Sequence, residues 1–312
     1  MIGEQLSSTE SLPLPPADLP GLADVAEVIA GLTGGRLEVL GREPNPYASG
    51  SPSEILTCRQ GRGRELMLLC KYQAAGDETW SDVAYEAEVY RRVLQPLAAG
   101  APHYYGAHRE RGSGRTWLLL EYLDGSLPLD ELGDPEQVIA AASWLGRFHA
   151  AGEAQLARAA PSFLKGYGGD FYLAAARRAE ELEPRLAGHA ARFAELAGFI
   201  FDGGETVVHG DFHPANVLAR GGAVYPVDWE MAGRCAGEMD LTSLIAGWPE
   251  VEPECARAYC EARWPSGAPA NFQERLNVAW LAYYFSQLSR AEWGGNLEGL
   301  RAAGERVGIG RG

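Results

Sequence analysis

The chain has 312 residues, 46% of them hydrophobic and 22% charged, enough to bury a sizeable core and to divide into two lobes. Its formal charge of −15 argues against a nucleic-acid partner, whose phosphate backbone demands a basic face. No run approaches the roughly 18 uninterrupted apolar residues of a membrane span, and "MIGEQLSSTESLPLPPADLP" has neither a basic start nor an apolar signal core. A cytoplasmic protein without a membrane partner is the default expectation.

Cys58, Cys70, Cys235, Cys255 and Cys260 are odd in number and show no C-x-x-C, which fits reduced thiols better than a disulfide framework or a zinc site. The acid excess is uneven. Residues 121–230 carry 17 acids and 8 bases, against 15 and 11 in residues 1–120 and 10 and 8 in residues 231–312. Solubility explains much of this, and a pocket that attracts cations is the sharper alternative.

In chain order, residues 1–20, with four prolines, read as a mobile tail. "GLADVAEVIAGLTG" suggests a short helix, followed by strand-like runs "RLEVLGRE", "SEILTCRQ" and "ELMLLCKYQ" between Gly, Pro and Ser clusters. "SDVAYEAEVYRRVLQPLAAG" reads as a helix capped by Ser81 or Asp82, with Val83, Ala87, Tyr90 and Leu94 on one face. "GRTWLLLEYLDG" is a strand ending in a turn. The pattern gives a mixed sheet of about five strands with one prominent helix, a small lobe over residues 21–123.

Residues 124–312 change character. "DPEQVIAAASWLGRFHAAGEAQLARAA", "GGDFYLAAARRAEELEPRLAGHAARFAELAGFIFDGG", "EPECARAYCEARW" and "NFQERLNVAWLAYYFSQLSRAEW" are alanine-rich amphipathic stretches, so the second lobe is mainly helical. One segment interrupts them, "VVHGDFHPANVLARGGAVYPVDWE". "TVVHGD", "ANVLAR" and "GGAVYPVDWE" read as short strands, the last two joined at Gly221-Gly222. Asp211 then sits just past the first strand, Asn216 begins the second and Asp228 ends the third. Asn216 and Asp228 supply the oxygen ligands that Mg²⁺ takes, while Asp211 is separate and can face a substrate.

"HGDFHPANVL" followed by "VDWE" resembles the catalytic and metal-binding segments of the aminoglycoside phosphotransferase family, which shares the protein-kinase-like fold with choline and fructosamine kinases. Protein kinases use H-R-D-x-x-x-x-N and D-F-G. Here His209-Gly210-Asp211 and Asn216 keep the five-residue step from Asp to Asn, and Asp228 stands for the Asp of D-F-G, over 22 residues in all. The resemblance implies an α+β, two-lobed protein-kinase-like fold. Its small N-terminal lobe has a mainly antiparallel sheet and one prominent helix, and its larger C-terminal lobe is mainly helical.

Kinases also need a lysine on the third strand and a glutamate on the following helix. Against 25 arginines the chain has two lysines, Lys71 and Lys165, and Lys71 ends the apolar strand "ELMLLCKYQ". A compact point charge there suits contact with nucleotide phosphates. Glu86 best matches the helix glutamate, with Glu88, about 200° around the helix, as the fallback. "NPYASGSPSE" would be the loop over the phosphates, with Gly50, Ser51 and Ser53 as donors, although it reads equally as an ordinary turn. The resemblance places adenine against main-chain groups near Glu121 and Leu123.

Other residues carry weaker signals. His209 and His213 stand four apart, but Pro214 denies them the helix that a zinc pair of that spacing uses. In the family reading His209 is structural, His149 in "LGRFHA" matches a recurrent L-x-x-x-H, and Asp240 in "GEMDLTSL" braces the catalytic loop. Glu230 is either support for the metal or merely solvated. Trp280, Tyr283, Tyr284 and Trp293 form a substrate wall or, more usually for such spacing, core.

Together these imply a kinase moving the γ-phosphate of ATP or GTP, with Mg²⁺, to a hydroxyl of a small molecule, in a monomer or homodimer. Asp211 would orient that hydroxyl and take its proton, Asn216 and Asp228 would hold the metal, and Lys71 braced by Glu86 would neutralise the phosphates. The acidic middle third suggests a cationic acceptor, such as an aminoglycoside-like or basic peptide antibiotic. Choline-like amino alcohols, sugars and macrolides are alternative acceptors, and a non-catalytic nucleotide-binding module is the rival class.

Overall fold

A computed structural model describes residues 19–48, 51–61, 63–76, 82–290 and 296–309. The expected tail, through Asp18, and the alternative cap Ser81 lie outside them. The chain divides into two units, Met1–Gln95 with Pro102–Asp124 and Pro96–Ala101 with Gly125–Gly312. Among the described residues no helix is long and apolar enough to cross a membrane.

The first unit begins with α1 (Leu22–Thr33), whose buried residues Val25, Ile29 and Thr33 recur every fourth position, one stripe of a 3.6-residue period. Gly34, in the left-handed region at φ 62°, ends it. The strands β1 (Leu37–Pro44), β2 (Ser53–Gln60), β3 (Arg64–Gln73), β4 (Tyr104–Arg109) and β5 (Thr116–Glu121) form one sheet in the order β1-β2-β3-β5-β4. Every pairing in it is antiparallel, where the pattern alone gave a mixed sheet. The short turns joining β1 to β2, β2 to β3 and β4 to β5 leave no room for the crossover that a parallel pair requires.

Alternation along the strands decides what faces where. Leu56 and Cys58 of β2, Leu68, Cys70 and Tyr72 of β3, and Trp117 and Leu119 of β5 cluster with Val25 and Ile29 of α1 in one buried core. Lys71, between Cys70 and Tyr72, therefore points to the opposite face. There lies α2 (Val83–Val89), capped by the Asp82 carboxylate, which accepts from Tyr85 N–H at 2.9 Å. It continues through a π-turn, Tyr90–Leu94, into α3 (Gln95–Leu97). Val83, Glu86, Ala87, Tyr90 and Leu94 are all buried, so the predicted face is the packed one.

The second unit opens with β6 (Leu127–Pro128), α4 (Leu129–Leu132) and the 25-residue α5 (Pro135–Ala159), capped by Asp134 with proline at the start. After β7 (Lys165–Gly166) come α6 (Gly169–Leu182), α7 (His189–Leu196) and α8 (Gly198–Phe201). The sequence read these three as one amphipathic stretch. Pro184 removes a helical donor, the Glu183 carboxylate accepts from Arg185 N–H at 3.1 Å to start a short 3-10 turn, and Gly188 adopts φ 86°.

Strands β8 (Thr206–Val208), β9 (Val217–Arg220), β10 (Ala223–Pro226) and β11 (Gly233–Cys235) follow, then α9 (Glu238–Ile245), α10 (Glu252–Arg263), α11 (Phe272–Leu288) and α12 (Leu297–Arg306). The three short strands expected in the polar segment fall into two small sheets, β10-β9-β6 and β7-β11-β8, with the expected β9–β10 hairpin kept and β8 paired elsewhere. Gly221 and Gly222, both at positive φ, make the tight turn between β9 and β10. All five cysteines are free, and burial pushes the Cys58 and Cys260 thiols up to about 11.

Candidate active site

In the first unit, Lys71 Nζ donates to both carboxylate oxygens of Glu86, at 3.1 and 2.8 Å. Glu86 is fully buried, so its charge depends on Lys71 for compensation. Glu88 is partly exposed and engaged by Arg91 and Arg92, so of the two candidate glutamates it is Glu86 that pairs with Lys71. The register of β2 against β3 pairs Ser53 with Lys71, placing both on one face. Ser53 Oγ accepts from Asn45 Nδ2 at 3.0 Å. Ser51 Oγ is buried with no hydrogen-bond partner among the described residues, and Gly50 lies outside them. Glu121 N–H is taken by the His103 carbonyl at 2.8 Å, and Leu123 is buried beyond the end of β5.

In the second unit, the polar segment is held down by the aromatics threaded through it. Phe212 and Trp229 have no exposed surface, and their rings sit 5.9 and 6.4 Å from that of Trp144 on α5. Burying a side chain such as Phe212 contributes roughly 1.5–3 kcal/mol. Each is flanked by polar residues, Asp211 and His213 in one case, Asp228 and Glu230 in the other, so the anchors fix the backbone that presents those groups.

Past β8 the chain turns sharply at Gly210, φ 82°, where a Cβ would collide with the Met231 carbonyl oxygen. Only glycine fits. His209, fully buried, directs Nε2–H at the Val227 carbonyl (2.9 Å), and its Nδ1 accepts from Asp211 N–H (3.3 Å). Both ring nitrogens are thereby used, which removes the zinc alternative at His209. Asp240 accepts from the amides of His209 (2.6 Å) and Gly210 (2.9 Å), bracing the loop.

Asp211 is 46% exposed and His213 41%, with Nε2 and Oδ2 3.4 Å apart. Burial raises the Asp211 carboxyl, but the hydrogen bond and charge of His213, with the charges of His209 and Arg290, outweigh it and hold the group below its ordinary value. For His213 burial lowers the ring, and the hydrogen bond and charge of Asp211, then Asp130 and Asp228, raise it above its ordinary value. Asn216 ends the 3-10 turn Pro214–Asn216, and its Nδ2 donates to Asp211 O (3.0 Å) and Oδ2 (3.1 Å). Its carbonyl accepts from Val227 N–H at 2.9 Å, which extends the β9/β10 pairing and brings Asp228 alongside. Asp228 adopts φ 68°, ψ 61°, a conformation that costs a non-glycine residue free energy and concentrates at functional sites.

A profile of the phosphotransferase enzyme family matches residues 63–284, most of the chain, including Lys71, Glu86, Asp211, Asn216, Asp228 and Asp240. The chain belongs to this family. Its fold is that of the family's kinases: it superposes on a choline kinase from Streptococcus pneumoniae with TM-score 0.57 at 15% identity, covering 92% of this chain and 98% of that one. Aminoglycoside 2'-phosphotransferase-IIIa, solved with GDP, gives TM-score 0.63 at 12% identity over 92% and 97%. An aminoglycoside phosphotransferase from Alicyclobacillus acidocaldarius gives 0.57 at 14% over 93% and 92%. No curated protein matches at the level of sequence.

As a member of this family, the chain carries one residue of interest that the sequence misjudged. His213 was weighed only as a zinc ligand, yet it is the ion-pair partner of Asp211; its place two residues on, in an acid-rich segment, was the available signal. Trp280 is buried, stacked on Tyr284 at 5.6 Å and hydrogen-bonded to Glu252, so it belongs to the core. Trp293 lies outside the described residues. The second lysine, Lys165, donates to the Glu230 carbonyl at 2.8 Å and supports the loop after Asp228.

Proposed function

We propose that the protein is a kinase that transfers the γ-phosphate of ATP or GTP to a hydroxyl of a small molecule. The observation that carries this is the pairing of Asp211 with Asn216 across the family's catalytic segment, while the first unit independently offers the Lys71–Glu86 ion pair. Asp211, held ionised and half-exposed, orients the acceptor hydroxyl and receives its proton. Lys71 neutralises the α- and β-phosphates, and Glu86 keeps it aimed. Such a reaction is mostly positioning and charge stabilisation.

The residues fit Mg²⁺. Asn216 and Asp228 offer hard oxygen donors, and no group of three or more His, Cys, Asp or Glu side chains gathers to hold a metal among the described residues. Two protein oxygens with phosphate and water completing the shell is the pattern Mg²⁺ adopts. When bound, the ion offsets phosphate charge. Solved relatives of the same fold include a choline kinase with AMP and amicoumacin kinase with AMP-PNP and Ca²⁺, which supports a nucleotide as the donor.

The acceptor we favour is cationic or amine-bearing. The charges of Asp130 and Asp228 raise the His213 ring, within the most acidic third of the chain, although Arg290 and His213 lower the Asp211 carboxyl and offset part of that field. Screening candidate hydroxyl compounds for ATP and GTP consumption, with mass spectrometry of the product, tests the proposal. Nucleotide turnover with an added 80-dalton product is expected for one phosphoryl group (about 80 Da, by the mass of HPO₃); tight nucleotide binding without turnover on any acceptor would favour the binding-module rival.

A further inference from the structure

Asp240 braces the loop that carries Asp211, and the groups that hold Asp240 in turn come from distant parts of the chain. The His149 ring, fully buried on α5, lies with Nε2 3.2 Å from Asp240 Oδ2 and Nδ1 2.9 Å from the hydroxyl of Tyr259 on α10. That hydroxyl is 2.5 Å from Arg263 Nη1. Arg263 Nη1 in turn stands 3.8 Å from the buried Glu238 carboxylate, which Arg275 pairs at 2.8 Å.

The chemistry of each group fixes the direction of the chain. A carboxylate only accepts, so His149 Nε2 carries the hydrogen. Burial holds the ring below its ordinary value, so it is neutral and Nδ1 is a bare lone pair. Tyr259 must then donate to Nδ1, and burial keeps its proton in place by raising the hydroxyl far above its ordinary value. The Tyr259 oxygen accepts from Arg263, which only donates. Every bond runs one way, from Arg263 through Tyr259 and His149 to Asp240, and from the loop amides back to Asp240.

The glycines show that the packing is built around this chain. Gly237 has φ −66°, so no backbone demand explains it. A Cβ there would collide with His149 Nδ1 and stand 2.6 Å from both Arg263 Nη1 and the Tyr259 hydroxyl. At Gly146 on α5 a Cβ would stand 2.5 Å from the Tyr259 carbonyl. At Gly237 the space is taken by the side chains of the hub, and at Gly146 the missing Cβ lets the α10 backbone at Tyr259 approach α5.

We infer that Tyr259 is a positioning residue for phosphoryl transfer: its hydroxyl, donating to Nδ1, holds the His149 ring in the orientation in which Nε2–H loads Asp240, and Asp240 thereby fixes the amides of His209 and Gly210 and the placement of Asp211. The catalytic part of this rests on the kinase reading above. Without the hydroxyl, Nδ1 loses its donor and the ring is held at Nε2 alone. The ring can then swing relative to the carboxylate, and the brace loosens.

Tyr259→Phe keeps the ring and removes the hydroxyl. Three readouts decide. Nitrogen-15 NMR of the His149 side chain is expected to show Nε2–H with a hydrogen-bonded Nδ1 in the parent, and an Nδ1 resonance shifted downfield by loss of that bond in the variant. Hydrogen exchange is expected to accelerate at the His209 and Gly210 amides while β8 and β11 stay protected, whereas general destabilisation would speed all of them. With an identified acceptor, kcat should fall roughly tenfold, as for other outer-shell positioning partners, at unchanged nucleotide affinity, and His149→Gln with Tyr259→Phe together should lose no more than His149→Gln alone. A parent whose His149 carries its hydrogen on Nδ1 overturns the inference, even if the variant fails to fold. So does a variant whose ring state and loop exchange match the parent, or one whose losses add to those of His149→Gln. A parent that transfers no phosphoryl group defeats the kinase reading and the catalytic consequence, while ring state and exchange still decide whether Tyr259 controls the loop.

Discussion

The side-chain amide of Asn216 donates twice to Asp211, to its backbone oxygen and its carboxylate. Both bonds use the amide nitrogen, so the amide oxygen is not engaged by Asp211. Under the proposed function one residue would thus restrain the base and also offer an oxygen to the metal.

Asn216→Asp exchanges that donor for a second carboxylate about 3 Å from the first, and like charges at this distance repel. The concentration of Mg²⁺ needed for half-maximal turnover should rise, and kcat should fall roughly 10- to 100-fold. Asp228→Ala should abolish turnover with the fold intact by circular dichroism. Full activity in excess EDTA would contradict the metal assignment altogether.

Lys71 and Glu86 allow stability to be separated from activity. Lys71→Met removes the cation paired with a fully buried carboxylate and should destabilise the chain by about 3–5 kcal/mol in urea unfolding. Adding Glu86→Gln removes that buried charge and should restore most of that stability. Turnover should stay lost in the double variant, because the point charge on the phosphates is still missing. Recovery of both together would mean that the pair is structural only.

Gly210 and Gly222 share a positive φ, 82° and 79°, but differ in what surrounds them. At Gly222 a Cβ would meet nothing within 4 Å, so Gly222→Ala should cost only the left-handed penalty, about 1–2 kcal/mol. At Gly210 the Met231 backbone blocks the same atom, and Gly210→Ala should cost at least about 3 kcal/mol or fail to fold. Equal denaturation midpoints for the two variants would refute the steric argument.

These contrasts also show what the sequence could disclose. Strand β3 was legible because its apolar run ends in a lysine out of keeping with an arginine-rich chain, and α2 because Asp82 and the spacing of Val83, Ala87 and Tyr90 mark both cap and face. The spacing of Asp211 to Asn216 was legible because it is local. The split of the polar segment between two small sheets was not, since β8 pairs with β11, whose three residues carry no strand pattern. The chain from Tyr259 to His149 was hidden for the same reason: its partners lie 110 residues apart, and a lone tyrosine on a helix looks like core.

Buried histidines predict the pH dependence of stability. His149 and His209 lie below their ordinary 6.5 because burial disfavours the charged ring. The unfolded chain therefore takes up their protons first. Their stabilising contribution is complete above pH 6.5 and is lost as the pH falls below it. His213, raised instead, works in the opposite sense, but it is 41% exposed and screened by solvent. Urea midpoints should fall from pH 7.5 to 5.5, and less steeply in His149→Gln. A flat profile in the parent would contradict neutral burial of the two rings.

Asp211→Asn is the substitution that separates an enzyme from a binding module. It keeps the size of the side chain and removes the charge that would accept the hydroxyl proton, while Lys71, Asn216 and Asp228 remain for nucleotide and metal. Turnover should fall roughly 10² to 10⁴-fold, the usual contribution of a positioned acid or base, and toward the lower end because a loose phosphoryl-transfer state needs little base assistance early. Because His213 and its neighbours hold Asp211 below its ordinary value, kcat/KM in the parent should show no acid limb from this carboxyl above about pH 4; His213→Ala should move that limb upward. Calorimetry should find nucleotide affinity unchanged in Asp211→Asn. Unchanged kcat would show that Asp211 is not the base, and lost nucleotide binding would reassign it to the metal site or the loop's scaffold. Tight nucleotide binding with no turnover in the unmutated chain would instead transfer the case to the binding module.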